Sequence, residues 1–197
     1  MSFFKPLFFI IVLIFIIILY WIQSNNGIYV KSNIDEHFYY VADVEDKQDV
    51  ADILATIKNR IIILIKYIDD ENKINKQYHN EYYKYVERLK NKINEITFTE
   101  NIDEFNATSY SVNKGDKLVV CLRSRETNKI HDINTIMYVI LHEISHIMCP
   151  EYGHSELFQK IFKYVAQQAV NVGVYEYVDY SKNPAEYCGL TLTSTIL

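Results

Sequence analysis

Residues 138–158 read YVILHEISHIMCPEYGHSELF, and this window holds three of the six histidines in the chain. His142 and His146 are four apart with Glu143 beside the first, the H-E-x-x-H pattern. On a helix, residues i and i+4 share a face, so both imidazoles can grip one Zn2+ at about 2.0–2.1 Å. Glu143 lies about 100° further round the helix. That is too far for an equal ligand and near enough to reach a water held by the metal. A carboxylate so placed can act as general base, because zinc lowers the pKa of bound water and the carboxylate passes its proton to a leaving amine.

A catalytic zinc needs a third protein ligand and leaves the fourth position for water. Pro150 and Gly153 turn the chain after the motif, so His154, at the mouth of the next helix, can fold back as the third ligand. Glu156 is the carboxylate alternative, but it sits two residues into that helix and is expected to point away. His131 is expected at the surface, and His37 and His79 lie in distant segments. By composition, H-E-x-x-H arises by chance in about one chain in a hundred of this length, so its context matters. Ile136, Val139, Ile140, Ile144 and Ile147 make the motif helix apolar. Imidazoles and a carboxylate buried there need partners, and a metal serves all three groups. The bland alternative is two satisfied core histidines and a capped glutamate.

The elements that must position these residues follow from periodicity. Val50, Leu54, Ile57, Ile61, Leu64 and Ile68 form one helical stripe, and Tyr78, Tyr82, Tyr85, Leu89, Ile93 and Ile96 form another. Together they predict a helical hairpin over about 46–96. The alternation around Asn113-Lys114-Gly115-Asp116 predicts a β-hairpin over about 107–123. Asp132 or Asn134 can cap the motif helix, and Pro150 ends it. Leu157, Ile161, Val165 and Ala169 mark the following helix. The zinc-binding helices thus span about 132–171, and a tyrosine-rich tail follows.

Residues 3–22, FFKPLFFIIVLIFIIILYWI, predict a transmembrane helix of about 30 Å. The expected division is 1–26, a membrane anchor with a short linker, and 27–197, one domain. The localisation it implies is a membrane, single-pass. The absence of a small-residue cleavage site argues against a signal peptide. The positive-inside rule mildly favours a translocated domain, which would make Asn106-Ala107-Thr108 a possible glycan acceptor. A net charge of −5 offers no basic face for phosphates, so no nucleic-acid partner is expected. Cys121, Cys149 and Cys188 show no metal or disulfide-scaffold spacing and are expected as free thiols. One pair with one thiol left over is the alternative in an oxidising compartment.

His142, Glu143, His146, His154 and Phe158 together resemble the WLM and SprT-like zinc metallopeptidases, in the form found in large DNA viruses and protists. The resemblance extends less sharply to TSYSVNKGDKLVVCLR before the motif and NPAEYCG after it. It implies an α+β, minimal zincin-like domain with a small antiparallel sheet, an active-site helix and supporting helices. It also implies that an extended substrate pairs with a sheet edge, here 117–122, and that a tyrosine donor, Tyr175, Tyr177, Tyr180 or Tyr187, faces the oxyanion. The reading that results is a membrane-anchored zinc endopeptidase acting on proteins or peptides. Its alternatives are a non-catalytic membrane adaptor with structural zinc and a protease of DNA-linked proteins. Acidity and the lack of a DNA-binding module count against the last.

Overall fold

The computed structural model describes residues 8–16, 27–74, 81–102 and 108–197. Seven strands and four helices follow one another from residue 27 on. They are β1 (Gly27–Lys31), β2 (Phe38–Ala42), α1 (Lys47–Ile74), α2 (Tyr83–Lys92), β3 (Thr97–Glu100), β4 (Tyr110–Val112), β5 (Lys117–Val120), α3 (Ile133–Met148), α4 (Glu156–Val172), β6 (Ala185–Tyr187) and β7 (Leu190–Leu192). The main sheet has the order β1-β2-β3-β5-β4, and β6 and β7 pair separately.

The sheet is mixed rather than antiparallel. β1–β2 and β4–β5 are antiparallel, while β3 runs parallel to both β2 and β5. The long helix α1 forms the crossover between β2 and β3 and packs back on β1, β2 and β3. Its apolar stripe is buried from Val50 to Ile68. β3 also displaces the expected edge. β5 lies between β3 and β4, so the edge strand at this end of the sheet is β4, not 117–122.

The expected transmembrane anchor is corrected here, and with it the single-pass membrane localisation. Among the described residues, no helix is long and apolar enough to cross a membrane. Of the apolar stretch, only 8–16 is described, as a helix with exposed side chains. The remainder of 3–22 lies outside the described residues, as do His79, Asn106 and Ala107.

The helix that carries the H-E-x-x-H motif is fixed at both ends. The Asp132 side chain accepts from the Asn134 and Thr135 backbone N–H groups, and Cys149 leaves the helix in an extended conformation before Pro150. Ser155 caps α4 by accepting from Phe158 N–H, and Gly173 closes it at φ 77°. α3 packs against α4, α2 and β4, which brings the motif face to the sheet edge. Arg123 ties the sheet to the start of α1. It donates twice to Asp46, at 2.6 and 2.7 Å, and once to Glu100, at 2.8 Å.

Candidate metal centre

α3 carries His142 and His146 one turn apart, and the chain reversal at 149–153 returns His154 to the same face. The Nε2 atoms of His146 and His154 lie 3.1 and 3.0 Å from Nε2 of His142. One nitrogen from each ring falls within 4.8 Å of the others. Nitrogens bound to a tetrahedral zinc lie about 3.3 Å apart, so the three imidazoles already stand near coordination spacing and could hold a metal. Phe158 sits beneath them, fully buried. Its ring stacks on His146 at 4.1 Å and meets His142 and His154 edge-on, each at 5.0 Å.

Burial lowers the pKa of His142 to about 4, helped by its two histidine neighbours. Burial, His154 and then Lys114 lower that of His146 to about 4. Both rings are therefore neutral at physiological pH, the form in which imidazole ligates a metal. Glu143 is 8% exposed, and burial raises its carboxyl to about 7 against an opposing backbone N–H bond from Ser111. A base poised near neutrality is suited to taking and returning a proton.

An open cleft of about 680 Å³ exposes the cluster. β4 and its turn form one wall through Tyr110, Ser111, Asn113 and Lys114, and Glu151, Tyr152 and Gly153 form the other. Ser111, whose backbone N–H opposes the rise in the Glu143 pKa, lies on the β4 wall of this cleft.

Other expected residues lie elsewhere. His37 stands on the β1–β2 connection beside Asp35. Glu156 points to solvent and pairs with Lys160. His131 is not at the surface. Its side chain is 8% exposed, its ring tilts against Tyr187, and its Nε2 accepts the Cys188 N–H at 3.1 Å. Nor are all three cysteines free: Cys121 and Cys188 form a disulfide, and Cys149 remains a buried thiol. None of the four tail tyrosines lines the described cleft, whose tyrosines are Tyr110 and Tyr152. Tyr187 is fully committed below it, bonded to Ser109 Oγ at 2.7 Å and to the Cys121 carbonyl at 2.8 Å. Sequence reasoning also passed over Lys114 and Ser111. The one available signal was Asn113-Lys114-Gly115-Asp116, a turn with a cation in place of a usual turn residue.

No protein-family model matches the chain. "Uncharacterized protein R325" of Acanthamoeba polyphaga mimivirus is 42% identical over 174 residues, which cover 88% of this chain and 86% of that protein. The chain belongs to the family of this mimivirus protein. Shorter matches within it are "Uncharacterized protein 136R" of Invertebrate iridescent virus 6 and "Uncharacterized protein 042R" of Invertebrate iridescent virus 3. They are 34% and 35% identical, over 34% of this chain and 39% and 42% of those proteins. Among solved structures, Wss1 from Saccharomyces cerevisiae superposes with a TM-score of 0.38 at 19% identity, over 47% of this chain and 73% of that one. A mutant of the same protein gives 0.37. A likeness of that extent is too slight to assign a role to any residue of this chain.

Proposed function

We propose that the protein is a zinc-dependent endopeptidase of the WLM/SprT-like kind, with His142, His146 and His154 as ligands and Glu143 as general base. The observation that carries the reading is the meeting of three imidazoles beside a buried carboxyl at the foot of an open cleft. A bound zinc supplies Lewis acidity toward a peptide carbonyl and makes a water acidic enough to be deprotonated near neutral pH. The protein's own residues do the rest. The three histidines hold the ion, and Phe158 keeps their rings from turning away. Glu143 accepts the proton of the attacking water and delivers it to the departing amine. The Ser111 backbone N–H favours the ionised form of the Glu143 carboxyl against the effect of burial.

The substrate is a protein or peptide in extended form. β4 is an edge strand of the sheet, and it borders the cleft. An extended chain laid along it gains backbone hydrogen bonds that do not depend on sequence. Nucleic acid is not part of the proposal, since the chain is acidic.

The test is Glu143→Gln in the full chain. Peptide hydrolysis should fall by about 10²–10⁴-fold or more, with zinc content unchanged. A purely structural zinc site predicts no functional change in this variant. Full hydrolysis with zinc bound would remove the proposed base.

A further inference from the structure

We infer that Lys114 is a positioning residue for the third metal ligand: from the turn between β4 and β5 it clamps the chain reversal that carries His154. The inference rests on the proposed metal site and names what builds it.

His142 and His146 need only the helix to set their spacing, but His154 lies beyond a reversal whose shape the helix does not dictate. Between Cys149 and Ser155 no backbone–backbone hydrogen bond closes this reversal among the described residues. Its carbonyls turn to one side chain instead. Lys114 Nζ donates to the carbonyls of Cys149 and Glu151, both at 2.7 Å, and reaches that of His146 at 3.4 Å. The same ammonium stands 4.5 Å from the ring centroid of Tyr152. It therefore gathers the C-terminal carbonyls of α3, where the helix dipole favours a cation, and the two residues that lead to His154.

The turn that presents Lys114 is built for this. Asn113, Lys114 and Gly115 all have positive φ, at 47°, 55° and 109°. The hairpin turn sets this conformation, closed by the Gly115 and Asp116 N–H groups donating to the Val112 carbonyl at 2.9 and 3.0 Å. Lys92 Nζ donates to the Lys114 carbonyl at 2.9 Å and fixes it from the other side. A Cβ on Gly115 would come within 3.0 Å of Ile147 on α3, so the turn sits tightly against the motif helix.

The test reads the metal site directly, in the full chain loaded with Co2+ and, separately, by chelator competition for Zn2+. Wild type should give the strong visible bands of a low-coordinate site, and His154→Ala should lose them. Lys114→Met should resemble His154→Ala, with zinc affinity lowered about 10–100-fold, as removal of other groups that orient ligands does. Its metal-free form should keep the wild-type far-ultraviolet spectrum. Lys114→Arg, which keeps charge and donors, should remain close to wild type. Should Lys114→Met not fold, Lys114→Gln takes its place with the same expectation. Wild-type bands and affinity in a folded Met or Gln variant would overturn the positioning role while leaving the metal site standing. Loss of the bands in Lys114→Arg as well would assign the effect to packing of the turn and overturn it too. If wild type itself binds no Co2+ or Zn2+, the metal reading fails and takes this inference with it.

Discussion

The ring of Phe158 touches all three histidines, so stability and ligand geometry are coupled through one side chain. Phe158→Ala should lower stability by about 3–5 kcal/mol, read by urea unfolding of the metal-free protein, because a fully buried ring leaves a cavity. The zinc affinity of that variant should fall as well, since the rings lose their common wall. Much at this scale is legible in sequence. The four-residue spacing of His142 and His146 is a statement about one helix face, and it needs no knowledge of the fold. His154 needed Pro150 and Gly153 to suggest a reversal, and sequence could go no further than that suggestion. The Lys114 ammonium that occupies the reversal comes from a different hairpin, a contact that no local pattern encodes.

Helices and strands divide along the same line. The apolar stripe of α1 and the capped motif helix follow from local periodicity and from Asp132. The sheet does not, because alternation says that a segment is extended and not which neighbour it pairs with. β3 was hidden in the short run Thr97–Glu100, and its pairing with β5 moves the edge at this end of the sheet to β4. Ser111→Pro tests that edge. Its backbone N–H is the group that opposes the rise in the Glu143 pKa, and proline removes that N–H from the edge strand beside the proposed base. Peptide hydrolysis should fall while zinc content holds. The α1–α2 crossing gives a pH prediction. Lys73, Lys90 and Tyr83 all donate to Asp69, and they hold its carboxyl below the usual range, Lys73 most strongly. The folded protein thus binds this proton less tightly than the unfolded chain. The cluster's contribution is complete above about pH 4 and is lost as pH falls through the depressed value. Urea unfolding of Asp69→Asn should show a deficit against wild type at pH 7 that shrinks as pH falls below about 4.

At the scale of the whole molecule, the Cys121–Cys188 disulfide ties the tail to the end of β5 across a separation of 67 residues. Three scattered cysteines leave one pair with one thiol over as an alternative but do not say which two pair, because pairing depends on a tertiary approach that spacing does not report. Closing a loop of this length restricts the unfolded chain. Cys188→Ser should therefore lower stability by about 2–4 kcal/mol, and dithiothreitol should lower the wild-type melting temperature without affecting the variant's. The long apolar stretch before residue 27 misled in the opposite way. Hydropathy alone predicts a span, whereas among the described residues no helix is long and apolar enough to cross a membrane. The proposed base and the inferred clamp both require one bound ion. Elemental analysis of the purified full chain should find one equivalent of zinc per chain in wild type and in Glu143→Gln, and close to none in His146→Ala. Wild type purified without zinc and unable to take it up, or His146→Ala retaining a full equivalent, would contradict it.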